Sequence, residues 1–101
     1  MKDLIEKLNK SFENRVRLGI MSALMVNEGI DYLALKELLN VTDGNLASHI
    51  SALEKIDYLA IKKEFVGKKT RTTYVATSLG RKEFILHLNA LEKLVKQNKK
   101  S

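Results

Sequence analysis

Apolar residues recur at helical spacing through the first quarter of the chain. Leu4, Ile5 and Leu8 predict a short amphipathic helix. From 15 to 26 the apolar residues lie on nearly every side of a helix, which predicts a segment buried at the centre of the domain. Gly29 is expected to end this central helix in the left-handed conformation.

Two further helices follow with a tight turn between them. Asp31 is the predicted N-cap of the first, and Thr42 is the predicted N-cap of the second, which should span about 42–56. Asn40 tolerates the left-handed backbone that such a turn requires. Two helices joined so closely form a helix-turn-helix.

The pattern changes after Tyr58 from helical spacing to imperfect alternation. Segments 59–65 and 72–77 are rich in β-branched and aromatic residues and predict two antiparallel strands joined by a loop over 66–71. Ser78 is the predicted N-cap of a last helix that runs to about residue 96. The predicted fold class is therefore mainly α with a small β-hairpin.

The helix over 42–56 has two different faces. At about 100° per residue, Leu46, Ile50 and Leu53 fall on one side and are predicted to pack on the core. The other side lacks the acidic and basic pairs of a solvated helix. Its candidate binding residues are mostly small or hydrogen-bonding: Thr42, Gly44, Asn45, Ser48, His49, Ser51 and Lys55.

Short side chains suit a helix that enters the major groove of DNA. Gly44 costs the first helical turn roughly 1 kcal/mol relative to Ala, so it does not serve the helix itself. Asn can bond adenine through two hydrogen bonds, Ser can donate or accept, and helix N-terminal N–H groups suit a phosphate. Lys55 is better placed for the DNA backbone than for a base. The alternative is that this face packs against another protein.

The excess positive charge is confined to one short segment. Residues 62–82 hold seven Lys and Arg residues and a single acid, Glu64, which accounts for the whole formal charge of +6. The predicted loop contributes Lys68, Lys69 and Arg71, which can follow phosphates, and Arg71 can enter a minor groove. No aromatic residue lies among these three basic residues, so the stacking platform expected for single-stranded nucleic acid is missing and double-stranded DNA is favoured over RNA. A merely solubilising hairpin is the alternative.

The terminal helices carry more apolar surface than one small domain is expected to bury. We predict that they meet in a homodimer, because a broad apolar face on a small domain usually needs a partner. Intramolecular packing in a monomer is the alternative. The predicted interface consists of Leu4, Ile5, Leu8, Phe84, Leu88, Leu91 and Val95.

Composition argues against other classes of function. Without cysteine there is no thiolate metal site, and His49 and His87 lie on different predicted helices with no metal-ligand spacing. Glu83 and His87 are expected to form a surface pair. No nucleophile–base motif or phosphate-binding glycine loop is present, so neither an enzyme nor a cofactor is expected. No apolar run approaches the roughly 20 residues of a membrane span and no signal peptide is seen, so a cytoplasmic protein without a membrane partner is predicted.

The chain resembles the small one-domain winged helix-turn-helix transcriptional regulators of the MarR/ArsR-like superfamily. The resemblance rests on NRVRLGIMSAL, LALKELLNVTDGNLASHISALEKIDYLAIKK and VGKKTRTTYVATSLGRKEF, and on the closing apolar helix. It covers nearly the whole chain and implies one winged-helix DNA-binding domain, 1–101. The helix-turn-helix core and wing would occupy about 12–78, and terminal dimerisation helices would occupy 1–10 and 79–98.

The resemblance also implies a function. A homodimer would bind double-stranded DNA at a pseudo-palindromic operator, with Asn45, Ser48 and His49 near bases and the wing, 66–72, on the backbone or minor groove. The cysteines of metal-sensing relatives are absent, and whether a small-molecule effector exists is unknown. Arg15 stands where many relatives have proline, as either a phosphate contact or a surface residue. The alternative function is a winged-helix protein–protein interaction module without DNA binding.

Overall fold

Five helices and one hairpin make up the structure, a computed structural model that describes residues 1–99, with side chains as far as residue 97. A 3₁₀ turn, Lys10–Phe12, connects the first two helices. Residues 100 and 101 of the predicted domain lie outside the described residues. The elements in chain order are α1 (Lys2–Glu6), α2 (Arg15–Met25), α3 (Tyr32–Leu39), α4 (Asp43–Lys55), β1 (Leu59–Val66), β2 (Lys69–Ala76) and α5 (Ser78–Lys99). The predicted mainly helical fold with one antiparallel hairpin is confirmed.

The helix-turn-helix forms where the capping residues predict it. Asp31 Oδ1 accepts from the backbone N–H of Ala34 over 2.8 Å and caps α3. Asn40 ends that helix in the left-handed conformation, with φ at 51°. Thr42 Oγ1 accepts from the N–H of Asn45 over 3.3 Å and caps α4. These local signals therefore fix the turn between the two helices.

Two other predicted helix ends are wrong in detail. Gly29 does not adopt the left-handed conformation; a Cβ there would lie 3.1 Å from Thr73 Oγ1, so glycine allows β2 to approach closely. Ser78 is the first residue of α5 rather than its cap. The cap is Thr77, whose Oγ1 accepts from the N–H of Gly80 over 2.9 Å.

The hairpin is longer and its turn tighter than predicted. Pairing runs from Leu59 with Ala76 to Val66 with Lys69, which leaves only Gly67 and Lys68 in the turn. Gly67 adopts a φ of 66°, which a two-residue turn favours and glycine accepts without strain. The predicted loop over 66–71 was therefore too long, because residues 69–71 belong to β2.

The core gathers around α2, which packs against α3, α4, α5 and β2. The predicted inward face of α4 is confirmed, since Leu46, Ile50 and Leu53 are all buried. Each fully buried aliphatic side chain contributes about 1.5–3 kcal/mol. This packing fixes which face of α4 turns outward.

A buried histidine ties the start of the chain to α5. His87 is only 4% exposed, so the predicted surface pair with Glu83 is wrong. Its ring packs on Phe12 with centroids 5.4 Å apart, and its Nδ1 accepts from the N–H of Asn9 over 3.0 Å. The side-chain amide of Asn9 also donates to the Tyr58 hydroxyl over 2.9 Å. Tertiary packing, which the i, i+4 spacing does not reveal, decides the role of this histidine.

Phe84 also lies inside the domain. It is 3% exposed and meets Phe12 edge-on, with centroids 5.1 Å apart. Its assignment to a dimer interface was therefore wrong for this side chain, because the 3₁₀ turn already covers it. Within residues 1–99, no helix is both long and apolar enough to span a bilayer.

Candidate nucleic-acid interface

The outer face of α4 has the exposure that the sequence predicts. Burial of its leucine and isoleucine seam leaves the opposite side in solvent. His49 differs, since it is half-buried on one flank. The exposed candidates are Thr42, Gly44, Asn45, Ser48, Ser51 and Lys55.

The start of α4 is held in place by α3. The Tyr32 hydroxyl donates to the carbonyl oxygen of Asp43 over 3.0 Å, and Lys36 Nζ lies 3.0 Å from Asp43 Oδ1. The carboxylate of Asp43 lies in the first turn of α4, where the positive end of the helix dipole stabilises it, and Lys36 offsets its negative charge. The first turn is thus anchored without leaving an uncompensated acid beside the candidate surface.

Gly44 is not required by the fold. A Cβ added there meets no atom within 4 Å among the described residues, and its φ is not in the left-handed region. By contrast, a Cβ at Gly80 would overlap the carbonyl oxygen of Tyr58. Neither packing within the described residues nor backbone conformation therefore requires glycine at this position.

His49 is held by a residue that the sequence reasoning did not identify. Arg17 Nε donates to His49 Nδ1 over 3.0 Å, from α2 to α4. Burial, and then the positive charge of Arg17, lower the pKa of His49 from its ordinary value. Because 32 residues separate the two, no spacing in the sequence announces this contact.

The basic residues of the hairpin differ in their surroundings. Lys68 lies in the turn and Lys69 at the start of β2, both exposed. Arg71 instead lies 3.5 Å from Asp31 Oδ2, the carboxylate whose other oxygen caps α3. An ion pair this exposed is worth no more than about 1 kcal/mol, so the guanidinium can exchange it for another anion.

Phe65 is a further exposed residue of the hairpin. It is not among the predicted site residues, because those of the hairpin were chosen for their positive charge. It is 83% exposed, although it sits on a strand. Its cross-strand partner is Thr70, and Lys63 projects from the same face two residues earlier. An aromatic side chain therefore does lie near the Lys and Arg residues of the hairpin, on the strand before the turn.

An apolar stripe along α5 stays uncovered within a single chain. Leu88 is 42% exposed and Val95 55% exposed, and Leu91 lies between them on the same side of the helix. On α1, Ile5 is exposed and Leu4 is half-buried. Leu8, just after that helix, is also half-buried, and both leucines line a cleft of about 580 Å³ between residues 4–10 and α5.

No group of three or more His, Cys, Asp or Glu side chains within residues 1–99 is arranged to hold a metal ion. The chemistry that these surfaces offer is hydrogen bonding, positive charge and apolar contact.

The family model for the winged helix DNA-binding domain matches residues 16–95 of this chain. That stretch contains the helix-turn-helix, the hairpin and most of α5. The chain belongs to this family. An uncharacterised protein of Methanocaldococcus jannaschii is 36% identical over 75 residues, which cover 74% of this chain and 82% of that protein.

Solved structures agree with this membership. The transcriptional regulator homologue protein from Pyrococcus horikoshii OT3 is 30% identical, with a TM-score of 0.84 over 96% of this chain and 97% of that chain. A MarR-family transcriptional regulator from Silicibacter pomeroyi shares the fold, with 13% identity and a TM-score of 0.66 over 92% of this chain and 64% of that chain. The predicted resemblance to winged helix-turn-helix regulators is confirmed, and the family and fold are those of regulators rather than enzymes.

Proposed function

We propose that this protein is a homodimeric, sequence-specific regulator of transcription that binds double-stranded DNA through α4. The observation that carries the proposal is the outer face of α4, which is exposed, made of short polar side chains and backed by a rigid core. Membership in the winged helix DNA-binding domain family supports it.

In this proposal α4 lies in the major groove. Asn45 and Ser48 contact base edges, because an amide and a hydroxyl can read donors and acceptors there. Gly44 lets the helix backbone approach, and Thr42 lies at the N-terminus, where free N–H groups favour a phosphate. Ser51 and Lys55, further along the same face, follow the DNA backbone.

The hairpin acts as the wing. Lys68 and Lys69 project from its tip and neutralise phosphates next to the bound groove. Arg71 exchanges its weak pair with Asp31 for a phosphate or a narrow minor groove. These contacts strengthen binding to every sequence, whereas those of α4 select among sequences.

Dimerisation involves the uncovered stripe of α5 together with α1. Leu88, Leu91 and Val95 form a continuous apolar line, and Ile5 adds exposed apolar surface on α1. Two-fold symmetry would place two α4 helices about 34 Å apart, one turn of DNA. A regulator that binds DNA acts where the DNA lies, so we propose that this protein is located in the cytoplasm.

A titration of duplex DNA tests the proposal. Random-sequence duplex is titrated by fluorescence anisotropy at about 50 and about 200 mM salt, with the mass checked by light scattering. We expect a dimer whose affinity falls steeply with salt, with a log–log slope of about −0.9 per phosphate contacted. Absence of duplex binding at the lower salt would reject the proposal and favour a protein-interaction module that docks an acidic partner.

A set of matched variants tests the division between wing and helix. Replacing Lys68, Lys69 and Arg71 with Ala should weaken binding to all duplexes and flatten the salt dependence. Asn45→Ala or Ser48→Ala should mainly reduce the preference for a selected operator. The control replaces three exposed lysines outside both elements and removes the same charge: Lys2, Lys7 and Lys10. Equal losses in the wing and control variants would mean that only net charge matters.

A further inference from the structure

Arg17 and His49 join the central helix to the outer flank of α4. Arg17 Nε donates to His49 Nδ1 over 3.0 Å. Arg17 is itself held by its backbone, because its N–H donates over 3.1 Å to the N-cap of α2, Asn14. Both side chains are half-buried. The His49 ring is therefore fixed through Nδ1, and its Nε2 lies on the opposite edge of the ring.

This hydrogen bond decides which ring nitrogen carries the proton. A neutral imidazole has one N–H, and the nitrogen that accepts a hydrogen bond is the one without a proton. Since Nδ1 of His49 accepts, the proton lies on Nε2. The lowered pKa, caused by burial and by the charge of Arg17, keeps the ring neutral at pH 7.

We propose that Arg17 is a positioning residue of the DNA site, holding His49 as a fixed Nε2–H donor toward an acceptor atom of the duplex. The inference rests on the proposed function, because it requires α4 in the groove. A donor of this kind can bond a phosphate oxygen, a purine N7, guanine O6 or thymine O4. It cannot bond the amino group of cytosine, which is itself a donor. Arg17 thus shapes specificity from inside the domain.

The first test reads the proton position in the free protein. Long-range ¹H–¹⁵N correlation spectra of the imidazoles distinguish Nδ1–H from Nε2–H. His87 serves as an internal reference, because its Nδ1 accepts from the N–H of Asn9 and its proton also belongs on Nε2. We expect both rings to show the Nε2–H pattern. Arg17→Ala should shift the Nδ1 resonance of His49 alone, because that nitrogen loses its hydrogen-bond donor while Nε2–H stays the preferred tautomer of a free imidazole. An unchanged Nδ1 resonance of His49 in that variant would overturn the proposal.

The second test separates positioning from charge. Arg17 also attracts phosphates, so Arg17→Ala is measured alone and together with His49→Ala on a duplex selected from a random library. His49→Ala should weaken binding roughly tenfold, equivalent to about 1.4 kcal/mol. In that background Arg17→Ala should cost only what Arg15→Ala costs, the loss of one charge from the same turn. Fully additive losses would overturn the coupling.

Conservative variants of His49 distinguish a DNA contact from a purely structural role by their duplex affinity. His49→Gln places an amide near the Nε2 position and keeps a donor for DNA, whereas His49→Asn places its amide near Nδ1 and keeps an acceptor for Arg17. We expect Gln to retain more affinity than Asn, although Asn preserves the contact between the two helices. The reverse order would mean that the contact only braces the fold.

Modified duplexes identify the acceptor. The acceptor is removed one atom at a time: 7-deazapurine lacks N7, 2-aminopurine lacks guanine O6, 5-methyl-2-pyrimidinone lacks thymine O4, and methylphosphonate lacks the phosphate charge. The relevant change should weaken binding of the native protein but not of His49→Ala. Equal effects of all four changes on the native protein and on His49→Ala would overturn the contact. If the native protein binds no duplex while the His49 spectrum behaves as expected, the proposed function has failed. If it binds duplex without Arg17–His49 coupling, only this inference has failed.

Discussion

At Gly44 we expect one substitution to raise the stability of the fold and to lower its affinity for duplex DNA. Its position in the first turn of α4 has ordinary helical backbone and open space around the missing Cβ. Gly44→Ala should therefore stabilise the fold by about 0.5–1 kcal/mol, through the lower backbone entropy of the unfolded chain. The added methyl group would hold the α4 backbone away from a groove, and we expect duplex affinity to fall roughly tenfold, or about 1.4 kcal/mol.

Chemical denaturation and duplex titration of the same Gly44→Ala preparation measure the two effects. Gly44→Ser extends the series by one heavy atom and should weaken binding further. A variant that is more stable and binds as tightly as the native protein would show that the backbone of α4 does not approach DNA.

Phe65 offers the opposite case, a large side chain that the fold does not use. Because it is 83% exposed, Phe65→Ser should leave the free energy of unfolding within about 0.5 kcal/mol of the native value. Beside Lys63 and the hairpin turn, an aromatic ring can pack against the sugars or a base step of the minor groove. We expect Phe65→Ser to weaken duplex binding severalfold, measured by anisotropy at low salt.

Val66→Ser is the control for Phe65, since Val66 is also exposed but projects from the other face of β1. Equal effects of the two variants would assign the loss to general polarity of the hairpin tip rather than to the aromatic ring.

Elements with local signals were predictable, and contacts between elements were not. Asp31, Asn40 and Thr42 act within three residues of their own positions, so the sequence suffices to place α3, the turn and α4. The buried role of His87 depends on Asn9, 78 residues away, and the orientation of His49 depends on Arg17. The outer face of α4 was predictable because it lies opposite the apolar residues that recur at helical spacing.

His87 of α5 is buried against the 3₁₀ turn before α2, and this burial makes the stability of the fold depend on pH. Burial lowers the pKa of His87 below its ordinary value, only partly opposed by Glu13, and the pKa of His49 is lowered too. As the pH falls below about 6.5, the unfolded chain takes up protons that the folded chain resists. Stability is therefore full above that pH and is lost as the pH drops toward the folded pKa values.

Chemical denaturation at about pH 7.5 and about pH 5.5 measures this dependence. His87→Leu should lower stability at both values, because the N–H of Asn9 loses its acceptor. The same substitution should reduce the difference between the two pH values, and His49→Leu should remove a further part. A difference unchanged in both variants would assign the pH dependence to other groups.

At the scale of the whole molecule, the apolar surface of the terminal helices is covered partly within one chain, and the rest is available to a second copy. The start of the chain packs on α5 within one chain: packing of α1 and the segment after it partly covers Leu4 and Leu8, and the 3₁₀ turn covers Phe84. This packing does not account for Leu88, Leu91 or Val95, which stay exposed on α5. Helical spacing predicts an apolar stripe but cannot tell how much of it the domain covers, so sequence alone placed Phe84 and Leu88 together.

Charge reversal on this stripe distinguishes the two states. Leu88→Glu and Leu91→Glu each bury a carboxylate in the proposed interface, and we expect light scattering to show monomers with unchanged helical content by circular dichroism. Leu79→Glu is the control, because Leu79 is equally exposed at 42% but lies at the start of α5, outside the stripe. An operator with two half-sites should then bind each monomeric variant much more weakly, while a single half-site should bind native and variant protein alike. Native protein that is already monomeric and binds one half-site as well as two would assign the stripe to a different partner.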